Sequence, residues 1–364
     1  MKKSLMAVAL LGAVAGVAQA QTAVQFYGNI DAGFTKQTNQ TLSIGKRAAN
    51  TLGFKGTEDL GNGLKALFQL EMRYEPDTGT VENNTRPLFQ GQSRVGLQGD
   101  FGTVRVGRGL TSFQEVVGSF EPWHGLPTPL GFYTDISVAG FNSAPLDSGS
   151  DLNGTGANSN RISNAIFYSS PVTNGFQVNA SWATKEANGG TWTGVGAGAS
   201  TYGPNTANTQ ATVNPFSVAA TYNNGPAAAM VAYERNAVES KVWSLAASFS
   251  ISPELKVMGT YTHQDREHTN TLRPTVKGAV LGATYALGGG KVLAGYGVKQ
   301  TEQATFSNDI FTRQASLGYE YSLSKRTYLY IDASRKKNTV NLRSGALGAV
   351  PTVNSYDLGI NHSF

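Results

Sequence analysis

Apolar and polar residues alternate one by one along most of the chain. In the first segment Val24, Phe26, Gly28, Ile30, Ala32 and Phe34 share one face, and Gln25, Tyr27, Asn29 and Asp31 the other. A period of two marks a strand, because successive side chains point to opposite sides of a sheet. The pattern returns in Leu64, Ala66, Phe68, Leu70, Met72 and Tyr74, which alternate with Lys65, Gln69, Glu71 and Arg73. It returns again from Phe176 to Trp182 and from Trp243 to Ile251. It closes the chain with Tyr356, Leu358, Ile360, His362 and Phe364 against Asp357, Asn361 and Ser363. About sixteen such segments can be counted, an even number that suits a closed antiparallel barrel.

The connections come in two lengths. Short ones rich in turn formers lie at Asp59–Gly63, Asp100–Gly102, Ser170–Gly175, Asn223–Pro226, Ser252–Glu254, Gly288–Gly290 and Ser324–Arg326. Long polar ones alternate with them, at 35–49, 75–91, 110–160, 184–214, 263–274, 300–310 and 336–354, with a shorter one near 236–240. Tight turns on one side and long loops on the other are the plan of an outer-membrane barrel, turns in the periplasm and loops outside.

Composition sharpens the picture. Charged residues are 15% of the 364 and apolar residues 40%, too apolar for a disordered chain. The net charge of +5 is scattered, without the basic run that nucleic acid would need. With no Cys there is no disulfide framework or thiolate chemistry. His263 and His268 do not have HExxH spacing, and no metal or other cofactor is expected. Residues 1–20 read as a signal peptide. Lys2 and Lys3 precede a short apolar run from Leu5 to Val17, and Ala18-Gln19-Ala20 fits a cleavage site. The mature part, 21–364, is then one exported domain. It contains no run of about 18 apolar residues, so only a closed barrel could carry it across a membrane.

Alternation alone leaves a secreted β-sandwich open, since it does not say which face is inside. Two features favour the barrel. The polar faces are small and uncharged in many strands, as a lumen wall or a subunit seam would be. Aromatic residues collect near strand ends, among them Phe26, Phe54, Tyr74, Tyr285, Tyr321 and Phe364, as in the girdles at the two membrane interfaces.

A run of motifs then points to a family. Tyr27-Gly28-Asn29-Ile30-Asp31, Leu52 through Gly61, Gly63 through Glu71, Val95 through Val104 followed by Gly107-Arg108, and Arg161 through Asn164 with Tyr168-Ser169-Ser170-Pro171 occur in order. Leu323 through Thr327 and Gly359 through Phe364 complete the series. Together they resemble the trimeric general porins of Gram-negative outer membranes, of the beta-proteobacterial type, over nearly the whole mature chain. The resemblance implies an all-β, 16-stranded transmembrane barrel, a homotrimer in outer-membrane lipid and lipopolysaccharide, and a third loop, here 110–160, folded into the lumen. It also implies that Phe364 is the terminal signal read by the barrel-assembly machinery.

A diffusion pore needs a water-filled eyelet with a transverse field rather than a nucleophile or base. In the family, basic wall residues face acidic residues of the third loop. Strand parity places Lys55, Arg105 and Arg161 on polar faces, with Arg94 and Arg73 also inward at uncertain heights. Arg161 matches the family's basic position and is the leading candidate, while parity leaves the direction of Arg108 open. On the loop, Glu115, Glu121 and Asp135 are the acidic candidates. Thr51 and Gly91 stand where relatives carry arginine, which leaves the ion preference open. Pro122 and Trp123 are expected to pack the loop to the wall. Alternatively, Phe120, Trp123, Phe132 and Tyr133 would form an aromatic slot for a ring-bearing solute. The expected function is passive diffusion of small hydrophilic solutes and ions. The alternative is a porin selective for organic anions or sugars. A barrel enzyme is disfavoured, since His362 lies on an apolar face without a Ser, Asp or Glu partner.

Overall fold

The computed structural model describes residues 23–82, 88–141, 143, 160–184, 213–237, 239–265, 275–302, 309–341, 347–349 and 352–364. The expected signal peptide lies outside them. Sixteen long strands follow one another around a closed antiparallel barrel. They are β1 (Ala23–Gln37), β2 (Thr51–Gly61), β3 (Leu64–Arg73), β4 (Gln92–Gly99), β5 (Gly102–Leu110), β6 (Arg161–Ser169), β7 (Phe176–Ala183) and β8 (Phe216–Asn224). The second half comprises β9 (Ala227–Arg235), β10 (Lys241–Ser250), β11 (Leu255–Asp265), β12 (Thr275–Leu287), β13 (Gly290–Glu302), β14 (Asp309–Ser322), β15 (Thr327–Asn341) and β16 (Val353–Ser363). Two three-residue pieces, Ser43–Gly45 and Leu347–Ala349, extend the pairing at the loop end. Several strands outrun the sequence reading. The backbone pairing of β15 with β14 continues to Asn341, because hydrogen bonding does not stop where the apolar band ends.

Closure joins β1 to β16, from Asn29 opposite Ser363 to Gln37 opposite Ser355. Phe364 completes the seam. Its amide and carbonyl exchange hydrogen bonds with Gly28, both at 3.1 Å, and its ring centroid lies 5.5 Å from that of Phe26. At the turn end, Leu287 pairs with Gly290 across Gly288 and Gly289, whose φ values are +57° and +80°. Two consecutive positive φ angles give the tight hairpin that matches strand twist, and glycine adopts them without a Cβ penalty.

The alternation is turned inside out relative to a sandwich. On β10, Trp243, Leu245 and Phe249 are exposed on the outer surface, while Ser244, Ala246 and Ser248 are buried on the inner one. Val24, Phe26, Leu281, Leu317, Ile331 and Leu358 are likewise exposed. An apolar outer belt is unfavourable in water and suited to lipid, where each backbone polar group must be paired within the barrel.

Candidate functional site: the narrowed lumen

The chain from Thr111 to Phe141 runs inside the barrel. Its helix α1 (Ser112–Val117) starts at the N-cap Thr111, whose side chain accepts from the Gln114 amide at 3.3 Å. First-turn amides lack helical partners. Here the wall supplies them: Ser112 N donates to Ser181 Oγ at 3.2 Å and Phe113 N to Ser217 Oγ at 2.8 Å. Two apolar clusters then hold the loop to the wall. Phe113, Val117, Phe120, Tyr133, Val138 and Phe141 pack on Ala219, Met230, Ala232, Val242 and Ala246. Trp123, Phe132 and Ile136 pack on Val280 and Leu293. Phe120, Trp123, Phe132 and Tyr133 are thus buried loop anchors and do not form an open aromatic slot.

Glycines make room for this packing. A Cβ on Gly282 would come within 2.3 Å of Pro122 Cγ, and one on Gly295 within 2.4 Å of Phe132 Cε2. One on Gly278 would come within 2.3 Å of the Ile136 carbonyl oxygen. All three lie on the lumen face, in register with inward residues of neighbouring strands. They flatten the wall where the loop crosses it.

The basic wall lies on β2 to β5. Arg94 donates from Nε and Nη2 to Gln69 Oε1 at 3.1 and 3.0 Å, and Gln69 donates to Tyr27 Oη at 2.8 Å. Lys55 Nζ sits 5.2 Å from the Tyr27 ring centroid. Arg105 Nη2 donates to Ser169 Oγ at 3.0 Å. Into this wall points Glu115 of α1, whose Oε1 lies 3.3 Å from Arg94 Nη1 and 3.8 Å from Arg105 Nη1. Beside the pair is a recess of about 320 Å³, lined by Gln25, Lys55, Leu67, Gln69, Arg94 and Arg105 among others.

The remaining sequence candidates go elsewhere. Arg161, the leading candidate, is only 6% exposed. Its Nε donates to the Gly91 carbonyl at 2.6 Å and its Nη1 to Asn160 Oδ1 at 2.7 Å, so it ties the foot of the loop to the 75–91 connection. The missing side chain at Gly91 matters here, because a Cβ would come within 2.3 Å of Glu71 Oε1. Arg108 sits at a register shift between Gly107 and Gly109, which explains why parity could not orient it. It donates to the Gln90 carbonyl at 3.1 Å and to Ser163 Oγ at 2.7 Å.

Glu121 does not face the basic wall. It is fully buried and closes its own turn, accepting from Trp123 N at 3.1 Å and Gly125 N at 2.6 Å. Burial raises its carboxyl to about 7, against the opposing pull of those amides. Asp135 faces a different set of cations, Lys299 and, at 3.2 Å, Lys336. Burial works against its charge, yet the two lysines hold its carboxyl well below the ordinary carboxylate range.

Sequence reasoning missed a buried network at the barrel seam. Arg47, from the connection between β1 and β2, donates to Asp332 Oδ2 at 2.9 Å and pairs with Glu320. Its guanidinium carbon sits 4.2 Å from the Tyr330 ring centroid. Asp31 accepts from Arg47 N at 2.6 Å, Tyr330 Oη at 2.9 Å and Asn361 Nδ2 at 2.9 Å. The third loop joins through Trp123 Nε1 to Asp332 Oδ1 at 3.1 Å and Thr128 Oγ1 to Asp357 Oδ2 at 3.1 Å. Strand parity already put Asp31 and Asp357 on polar faces. No periodic signal marked Arg47, which lies in a connection. Among the described residues no group of three or more His, Asp or Glu side chains is placed to hold a metal ion.

A closed, lipid-facing barrel with a loop laid across its polar lumen defines an outer-membrane channel. The chain belongs to the Gram-negative porin family, whose family model matches residues 7–341. It is 29% identical to outer membrane porin protein 32 of Delftia acidovorans and 26% identical to an outer membrane porin protein of Bordetella pertussis, each over all of both chains. Among solved structures, the anion-selective porin from Comamonas acidovorans superposes with a TM-score of 0.72 at 24% identity, over 94% of this chain and 100% of that one. The trimer form of OmpT from Vibrio cholerae superposes at 0.65 and 15% identity, over 94% and 99%. The Delftia and Bordetella relatives are named outer membrane porin proteins, and this protein likewise resides in the Gram-negative outer membrane.

Proposed function

We propose that the protein is a passive diffusion channel for small hydrophilic solutes and ions, favouring anions, assembled as a homotrimer. The observation that carries the reading is the contact of Glu115 with Arg94 and Arg105, with Lys55 beside them. One loop carboxylate meets two wall cations, and a third, Lys55, lines the same recess as those two. In a narrow passage with low-dielectric walls, such an excess concentrates anions and repels cations. The anion-selective neighbour from Comamonas acidovorans supports the sign, and the trimer form of OmpT supports the assembly. Arg161 and Arg108 contribute indirectly, by fixing the loop's foot and the wall beside it. The leader 1–20 is removed on export, and the strand ending in Phe364 is the element presented to the assembly machinery.

Planar-bilayer recording across a salt gradient tests the reading. Conductance steps in groups of three, with an anion-selective reversal potential, are expected. A cation-selective potential would transfer control to loop carboxylates, and a folded barrel without conductance would overturn the open channel. The recess beside Lys55, Arg94 and Arg105 favours a second reading, a porin that binds organic anions. Conductance that saturates with a dicarboxylate but not with chloride would support it.

A further inference from the structure

The turn-end half of the lumen carries a second set of cations, away from the basic wall. Lys256 lies at the start of β11 and Lys291 at the start of β13, on either side of β12. Both point inward. Thr260 and Thr262, of the same parity as Lys256, donate to carbonyls of the third loop. Lys291 Nζ lies 2.9 Å from Glu320 Oε2, the carboxylate that also pairs with Arg47. Lys256 stands opposite Thr284 of β12, and Lys291 opposite Ala286. The two lysines are thus two strand spacings apart, about 10 Å across the sheet. β12 is eight strands on from β4, half the circuit of the sixteen-strand barrel, so this pair lies on the wall opposite Lys55, Arg94 and Arg105.

The third loop sets one titratable group beside the pair. His124 is exposed within the lumen, next to the buried anchor Trp123. Its backbone is left-handed, with φ at 52°, and its amide donates to the Glu121 carbonyl at 3.0 Å. The imidazole itself makes no hydrogen bond among the described residues. The charged groups that act on it are Lys256 of β11, Lys291 of β13 and Glu320 of β14. Within its own turn Glu121 points back to the Trp123 and Gly125 amides, and Glu115 of α1 points to the basic wall. Burial and the two lysines hold the imidazole below its ordinary range, against the pull of Glu320. It is therefore neutral at neutral pH and gains its charge in acid.

We propose that His124 is a specificity-determining residue of the channel, a switchable charge that joins Lys256 and Lys291 and shifts selectivity toward anions as the pH falls. The inference rests on the open channel proposed above, but not on the sign of its preference at neutral pH. While His124 is neutral, this side of the lumen has two lysines, one of them shared with Glu320. Protonation adds a third cation where no carboxylate is free to answer it, and a narrow passage focuses that field on the passing ion. One charge about 10 Å away in water changes an ion's local concentration roughly twofold, upward for anions and downward for cations.

The test is the reversal potential of the full chain in a planar bilayer, from about pH 8 to about pH 4. H124N is the neutral variant, since asparagine accepts the left-handed backbone, and H124K is the permanent cation. Over this range the wild type should gain about twofold or more in anion-over-cation permeability relative to H124N. Loop and wall carboxylates titrate in both proteins, so the difference between them belongs to His124. H124K should already show at about pH 8 the shift that the wild type shows in acid. K256Q/K291Q should move the midpoint of the His124-dependent change to higher pH, because two cations no longer oppose protonation. Superimposed profiles for the wild type and H124N, or a midpoint unmoved in the lysine variant, would overturn the role of His124. Cation selectivity throughout, with the same wild-type gain over H124N, would reverse the sign proposed above and still support His124. A folded barrel without conductance would overturn both readings. If H124K fails to fold, H124N and the lysine variant decide the outcome.

Discussion

Arg47 and Asp332 are 285 residues apart in sequence and 2.9 Å apart in the barrel, with both side chains removed from solvent. The contact fastens the first loop to β15. Through the other oxygen of Asp332 and the Trp123 indole, it fastens the third loop as well. Burial opposes the charge of Arg47, but Asp332 and Glu320 outweigh it and hold the guanidinium protonated above its ordinary range.

Removing one partner of a buried pair leaves the other charge uncompensated, a loss of about 3–5 kcal/mol. Arg47→Leu should therefore lower the urea midpoint of the folded barrel strongly. The double variant Arg47→Leu/Asp332→Asn should recover part of that loss, because the stranded carboxylate is gone. An unchanged midpoint in the single variant would show that the network adds no net stability.

Glu121 makes the anchorage of the loop depend on pH. Its carboxyl is raised to about 7 in the folded protein, while in an unfolded chain it titrates near the usual glutamate value of about 4.3. Between these values the folded state holds the extra proton, so stability falls as pH rises through the window. Thermal unfolding of the wild type should show this loss relative to Glu121→Gln, which cannot ionise. Parallel pH profiles for the two proteins would count against the assignment.

Arg94 and Arg105 should govern ion preference more than Arg161 does. Arg94→Gln/Arg105→Gln is expected to move the reversal potential toward cations. Arg161→Gln should mainly cost stability, about 1.5–3 kcal/mol for a hydrogen bond from a charged group, with a smaller change in potential. Equal shifts in potential would return Arg161 to the lining of the opening.

Gly282 should report on the seat of the loop. Gly282→Val would drive a side chain into Pro122, and overpacking of this kind costs about 1–3 kcal/mol. If the loop lifts from the wall into the opening, single-channel conductance falls. Conductance equal to that of the wild type would mean that the wall yields instead.

The sequence by itself determined the barrel. Period-two alternation, an even strand number, short turns facing long loops and a chain of ordered motifs all agree, because strand geometry is local and each residue declares its face. The same parity turned Lys55, Arg94, Arg105 and Arg161 to the polar side of their strands, and put Asp31 and Asp357 on polar faces. What parity could not reach was everything that depends on a connection meeting a distant wall. Glu115 joins Arg94 and Arg105, whereas Glu121 turns back into its own loop and Asp135 goes to Lys299 and Lys336. Arg47 carries no periodic signal at all, and Arg108 sits at a bulge that breaks the period. Loop side chains take their partners from the glycine-lined wall they cross, and which strand they meet is set by the path of the loop through the closed barrel, which no local pattern encodes.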